Sequence, residues 1–103
     1  WDRELYRQQE ANLRARITRI TSDCELRIAD KQAEIDAARS AVDWNSRKRI
    51  RPDFDRYYAL RASGERQIEQ WKATVTLAAK AVDELALGKR APAIDFLHAH
   101  EVY

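Results

Sequence analysis

Residues that could support catalysis or metal binding are few and poorly spaced for it. The two histidines, His98 and His100, are two positions apart, so on a helix they point in different directions and do not form a metal-binding pair. The single cysteine, Cys24, falls on an apolar stripe, where we expect a small buried residue rather than a nucleophile. Acidic pairs at four-residue spacing lack the Glu-x-x-His companion of a di-iron site. The sequence therefore predicts no enzyme, no metal site and no cofactor.

Basic residues, by contrast, are clustered. Arginine outnumbers lysine 14 to 5, a bias suited to binding carboxylates or phosphates through paired hydrogen bonds. The first cluster lies between Glu10 and Asp23 and the second between Asp43 and Asp53, and neither contains an acid. We therefore expect these arginines to lack acidic partners at four-residue spacing. Helical rise separates the two clusters by about 45 to 50 Å. The candidate partner-binding residues are Arg14, Arg16 and Arg19 in the first cluster and Arg47, Lys48, Arg49 and Arg51 in the second, which has Trp44, Tyr57 and Tyr58 beside it.

The elements that carry these clusters are predicted by two apolar stripes at coiled-coil spacing. The first runs from Leu13 to Val42 and the second from Phe54 to Leu85, mostly in steps of three and four residues. If the chain turns back at Pro52, facing residues have numbers that sum to 102 or 103. The opposed pairs include Ile17 with Leu85, Ile20 with Val82, Ile35 with Ile68, Ala38 with Gly64 and Val42 with Arg61.

We therefore predict an all-α fold, namely an antiparallel two-helix coiled-coil hairpin with a short C-terminal helix docked on the start of helix 1. Proline and glycine signals place helix 1 at about 2–48, a turn at 49–52, helix 2 at about 53–87 and the short helix at about 93–100, in one domain spanning 1–103. Continuing the register puts Phe96 opposite Tyr6 and Leu97 opposite Leu5.

Composition bounds the class of protein. The chain begins at Trp1 and has no methionine, so we expect a segment of a longer protein. It has no apolar run of about 18 residues, so we expect it to be soluble and without a membrane partner. Its single cysteine favours a reducing, intracellular setting, which we expect to be the cytoplasm unless a family resemblance indicates otherwise. A hairpin buries a stripe rather than a full core, which leaves homodimerisation open.

The clustered arginines favour an acidic partner. Nucleic acid is the weaker expectation, because acids interrupt every long basic face. An acidic protein polymer fits sparse contacts on a rod through avidity, and microtubules are such a lattice. The alternative is that the arginines only solubilise the helices through surface ion pairs, each worth about 0 to 1 kcal/mol.

The first helix also resembles a known family. It reads WDRELYRQQEANLRARITRITSDCELRIADKQAEIDAARSAVD and, with the returning helix, is similar to the microtubule-binding coiled-coil domain of trypanosomatid kinetochore proteins. The resemblance implies a nuclear kinetochore component that holds chromosomes to spindle microtubules; the site residues named above come from charge clustering alone. Competing interpretations are a structural scaffold or dimerisation coiled coil, a finger that binds Rho-type GTPases, and a tRNA-binding arm like that of seryl-tRNA synthetase.

Overall fold

The computed structural model describes residues 2–42 and 51–101, with the side chains of residues 2 and 51–53 outside that description. Within these ranges the chain forms three helices and no strand, which confirms the predicted all-α class. The helices are α1 (Asp2–Ala41), α2 (Arg51–Ala86) and α3 (Ala91–His100). The molecule measures 73 × 24 × 16 Å along its principal axes. No helix in the described ranges is long and apolar enough to cross a membrane.

The helix bounds differ from the predicted ones at three ends. α1 stops at Ala41 and Val42 forms a bend, so the helix is shorter than the predicted span to 48. Residues 43–50, which include most of the predicted turn, lie outside the described part of the chain. α2 starts at Arg51 because Pro52 suits a first helical turn, where its missing N–H costs nothing. α3 starts at Ala91, with Pro92 again in the first turn.

Two apolar clusters hold the helices together. Residues early in α1 pack with residues late in α2 and with α3, and residues late in α1 pack with residues early in α2. The first cluster contains Ile17, Ala78, Ala81, Leu85, Ala93, Phe96 and Leu97, with Leu13, Ile20 and Val82 partly buried against it. The second contains Ile35, Val42, Tyr57 and Ile68, with Ile28, Ala38, Phe54, Leu60 and Trp71 partly buried against it.

The second stripe departs from its predicted role at one position. Arg61 was placed opposite Val42, but its side chain is half exposed and its Nε donates to the Glu65 carboxylate at 3.1 Å. Val42 packs instead in the cluster that holds Tyr57. Since the Arg61 side chain pairs along its own helix, it contributes charge to the surface rather than bulk to the core.

Gly64 permits a close approach of the two long helices. A Cβ atom built on Gly64 would lie 2.7 Å from Ile35 Cδ1 and 3.3 Å from Lys31 Cδ. The prediction paired this glycine with Ala38; in the structure it receives Ile35 and the aliphatic stem of Lys31, whose ammonium reaches Glu34 at 3.1 Å. The lysine thus lies at a stripe position while its charge stays at the surface.

The connection from α2 to α3 reverses the chain. Gly88 has φ +86°, a left-handed conformation that glycine adopts without a Cβ penalty. The amide of Lys89 donates to the carbonyl of Glu84 and the amide of Gly88 to that of Leu85, each at 3.0 Å. This pair of bonds is the Schellman arrangement that ends a helix while satisfying its last carbonyls.

After that reversal, the residues on either side of α3 contact α1. The start of α3 is held near Gln9, whose Oε1 accepts from Arg90 Nη1 at 2.6 Å, and the residue after its end reaches Arg16. The predicted opposition of Phe96 to Tyr6 and of Leu97 to Leu5 is therefore wrong. Phe96 and Leu97 pack in the cluster with Ile17 and Leu85, while Leu5 is about half exposed and Tyr6 lies under the guanidinium of Arg90.

Candidate functional site

The first arginine cluster is divided between different environments on α1. Arg14 is exposed, and its Nη2 lies 3.4 Å from Glu10 Oε1, four residues earlier. The expectation that the clustered arginines lack acids at four-residue spacing is thus wrong for Arg14. Such an exposed pair contributes about 0.3 to 0.5 kcal/mol, so Arg14 is a lightly held surface cation.

Arg16 is held by the residue that follows α3. Its Nε donates to Glu101 Oε2 at 2.8 Å and its Nη2 donates to Glu101 Oε1. Two parallel N–H···O bonds between a guanidinium and a carboxylate form the strongest geometry available to such a pair. The side chains keep 38% and 22% of their exposure, so the pair is shielded but still touches solvent.

Arg16 and Arg19 line one groove, together with an arginine that the sequence interpretation did not single out. That residue is Arg27, which follows Arg19 by eight positions and therefore lies on the same flank of α1. The groove has a volume of about 550 Å³ and is bounded by all three helices. Its other lining residues are Ile20, Asp23 and Cys24 from α1, Trp71 and Thr74 from α2, His100 from α3, and Glu101. Arg14 does not line it.

The charges of this groove, named here the arginine groove, are unevenly compensated. Arg16 is neutralised by Glu101, whereas Arg19 and Arg27 form no ion pair with any residue in the described ranges. Cys24 is nearly buried beside them. Burial raises the pKa of its thiol, the guanidinium of Arg27 opposes that rise and the carboxylate of Asp23 adds to it. The thiol therefore stays neutral at physiological pH.

The second predicted cluster is largely beyond what the structure describes. Arg47, Lys48 and Arg49 lie outside the described residues, as does Trp44, and Arg51 is the first residue of α2 with its side chain outside the description. The expected aromatic surface beside this cluster is wrong for one residue. Tyr57 is buried in the core, while Tyr58 is half exposed and meets the Tyr57 ring edge-on at 5.2 Å. Tyr58 alone of the two offers an aromatic face to a partner.

The histidines take separate positions on α3. His98 is exposed, and the ring of His100 stacks on Phe96 with centroids 4.6 Å apart. Among the residues that the structure describes, no group of three or more His, Cys, Asp or Glu side chains could hold a metal ion. The exposed acids Glu65 and Glu69 pair with basic residues of their own helix instead.

With this geometry in view, comparison with known proteins gives no relative. No protein-family model matches the chain. No curated protein and no solved structure gives a significant match.

Proposed function

We propose that the chain is a non-enzymatic interaction module, an antiparallel coiled-coil hairpin with α3 docked beside the start of α1, that binds an acidic protein partner. The arrangement is supported by the two core clusters, which join early α1 to late α2 and late α1 to early α2. Docking of α3 is supported by the Arg90–Gln9 hydrogen bond at its start and the Arg16–Glu101 pair at its end.

The observation that carries the proposal is the pair of exposed arginines in the arginine groove. Elsewhere in the described ranges, Arg14, Arg61 and Lys72 are each paired with an acid of their own helix one turn away. Arg19 and Arg27 have no such acid partner, although Asp23 lies four residues from each. Arg66 has no ion pair within those ranges either, but it does not line the arginine groove. An arginine that is always charged and not paired within the chain is suited to a carboxylate from another protein.

Microtubules are the favoured partner. A rod 73 Å long can contact a repeating acidic lattice at more than one place, and avidity then makes individually weak contacts sufficient. The second cluster, which contains Arg47, Lys48, Arg49 and Arg51, would supply a second contact in addition to the arginine groove. Together with the resemblance of the first helix to trypanosomatid kinetochore proteins, this proposal assigns the module to attachment of kinetochores to spindle microtubules, in the nucleus.

Co-sedimentation with polymerised microtubules tests the proposal. We expect saturable binding at low salt that weakens near physiological salt, because exposed charge contacts are screened over about 8 to 10 Å. The double variant Arg19→Glu with Arg27→Glu should weaken binding. Reversing the charges of the second cluster should weaken it too. Arg66→Glu is the matched control, since Arg66 is exposed on α2 and does not line the arginine groove. Absence of sedimentation at low salt would contradict the proposal.

A scaffold or dimerisation role is the second candidate, and one observation favours it. Leu77 is 52% exposed and lines an open groove of about 600 Å³ between α2 and α3 that also contains Phe96 and Ala99. A second copy could cover this surface. Sedimentation equilibrium decides between the two, because a scaffold predicts a concentration-dependent dimer that Leu77→Glu dissociates, with no binding to microtubules.

A further inference from the structure

We propose that the arginine groove is a receptor for the glutamate side chains of an extended acidic peptide, and that Glu101 is a resident carboxylate which a partner glutamate displaces from Arg16. This inference rests on the proposed function and deepens it, because it names the ligand chemistry and the contact that the ligand must replace.

Glu101 itself shows what the groove recognises. The Arg16 guanidinium binds it through Nε and Nη2, one nitrogen to each carboxylate oxygen. A glutamate from a partner presents the same two oxygens with the same spacing, so it can form the same paired bonds. Exchange of one carboxylate for another keeps the number of charge-assisted hydrogen bonds at Arg16 unchanged.

The position of Glu101 makes that exchange feasible. Glu101 follows the last residue of α3 and has an extended backbone, φ −80° and ψ 125°. Its side chain can therefore leave Arg16 without unwinding a helical turn, although its amide still donates to the Leu97 carbonyl at 2.8 Å. The pair retains contact with solvent, so an incoming carboxylate can approach it.

The remaining arginines supply the gain that drives exchange. Arg16 and Arg27 are eleven residues apart on a straight helix, about 16 Å by helical rise, which an extended peptide of about five residues spans. Such a peptide could place one glutamate at Arg16 and others at Arg19 and Arg27. Trp71 and Ile20 form an apolar wall of the same groove, against which the methylene groups of glutamate can pack.

Asp23 lies between Arg19 and Arg27 and lines the groove with them. Its carboxylate interrupts the positive surface and would repel a chain that carries a charge at every position. A polyphosphate backbone is such a chain, whereas a peptide can place a neutral residue beside Asp23. The charge pattern therefore favours an acidic peptide over nucleic acid.

Fluorescence anisotropy with a fluorescein-labelled octapeptide of alternating glutamate and alanine, the Glu-Ala octapeptide, at low salt tests the inference on the whole chain. Arg19→Gln and Arg27→Gln should each weaken binding about fivefold, the value of one charged contact near 1 kcal/mol. Glu101→Gln keeps the size of the side chain but removes the competing charge, so it should tighten binding about threefold or more. Arg66→Gln, with the same loss of charge outside the groove, should leave binding within a factor of two of wild type.

Each outcome decides the inference. Equal effects of Arg19→Gln, Arg27→Gln and Arg66→Gln would overturn it, and so would weaker binding by Glu101→Gln with helicity retained by circular dichroism. Inorganic phosphate should not displace the peptide more than sodium chloride does at the same ionic strength. Stronger displacement by phosphate would indicate a simple anion site and overturn the peptide assignment. Tighter binding of a labelled single-stranded oligonucleotide than of the peptide would overturn it as well.

Microtubule co-sedimentation of the same variants separates this inference from the proposed function. If wild type sediments with microtubules and the groove variants still bind the Glu-Ala octapeptide normally, the groove is not the peptide site and the microtubule proposal stands. If binding of the Glu-Ala octapeptide depends on Arg19 and Arg27 but the chain does not sediment, the groove is supported and microtubules are excluded as the partner.

Discussion

The Arg16–Glu101 pair joins α1 to the residue that follows α3, and a double-mutant cycle measures the strength of this contact. We consider Arg16→Ala, Glu101→Ala and the double variant. The cycle isolates the pair even though Arg16 takes part in other interactions, because those are lost equally with and without Glu101.

The magnitude follows from exposure and geometry. Fully exposed ion pairs couple by about 0.2 to 1 kcal/mol, while breaking a fully buried pair costs about 3 to 5 kcal/mol. The side chains of Arg16 and Glu101 are 38% and 22% exposed and form two hydrogen bonds. We therefore expect a coupling of about 1.5 kcal/mol, which corresponds to a Tm difference of about 8 °C for a chain of this size.

Urea unfolding followed by circular dichroism is the assay, with Lys72 and Glu69 as the matched control pair. That pair has its nearest atoms 4.0 Å apart with side chains 60% and 76% exposed, so its coupling should stay below about 0.5 kcal/mol. In 1 M salt, where the screening length is about 3 Å, the control coupling should vanish before that of Arg16 and Glu101. A coupling for Arg16 and Glu101 no larger than the control would refute the docked position of α3.

Four substitutions test the core and the turn, and one labelling experiment tests the cysteine. Ile35→Asp and Ile68→Asp should each abolish cooperative unfolding, because each places an unpaired charge in the second core cluster; circular dichroism checks this. Gly64→Leu should destabilise by about 1 to 3 kcal/mol in urea melts, since its side chain meets Ile35. Gly88→Ala should cost about 1 to 2 kcal/mol by the same assay, because alanine is strained at φ +86°. Cys24 should react with iodoacetamide at pH 8 about tenfold more slowly in native protein than in urea, because burial limits access and raises its pKa. Because burial raises the thiol pKa in the folded protein, the unfolded protein loses this proton at a lower pH. The free energy of unfolding should therefore also fall as the pH rises above the ordinary thiol pKa.

Matched substitutions at exposed neighbours provide the controls. Ala33→Asp and Gln67→Asp introduce the same charge on exposed positions of α1 and α2, and Ser63→Leu introduces the same bulk beside Gly64. These variants should unfold within about 0.5 kcal/mol of wild type. Unchanged melting of Ile35→Asp or Ile68→Asp would contradict the packing of α1 on α2, and equal effects of Ser63→Leu and Gly64→Leu would contradict the close approach at Gly64. Equal labelling rates for Cys24 in native and unfolded protein would show that its site opens freely.

Heptad spacing was enough to find most of the core, because burial along a helix depends on a local repeat. Ile17 and Leu85 share one cluster and Ile35 and Ile68 share the other, as the register predicted. Ala81 was missed although it is almost fully buried. It lies off the stripe that faces α1, and it packs in the cluster to which α3 contributes. A repeat in one helix carries no information about a third helix that packs from the side.

The direction of α3 could not be read from the sequence for a similar reason. Glycine at position 88 indicated that α2 ends there, but a helix end with a left-handed residue fixes only the local turn. Where the next helix goes depends on which apolar surface it covers, and Phe96 and Leu97 pack in the cluster that holds Ile17. The direction in which a helix packs is therefore not indicated by apolar residues at three- or four-residue spacing.

Arg14 and Arg16 illustrate the difference between a contact that local spacing predicts and one that depends on the tertiary fold. Glu10 lies four residues before Arg14, so the sequence itself indicates their pairing. The partner of Arg16 is 85 residues away and becomes adjacent only because Gly88 reverses the chain. The same reversal brings a carboxylate into the arginine groove, and it therefore decides which of the clustered arginines is already occupied. A partner that binds this groove must compete at Arg16 but not at Arg19 or Arg27, so its affinity should depend on Glu101, a residue that charge clustering along the sequence did not identify.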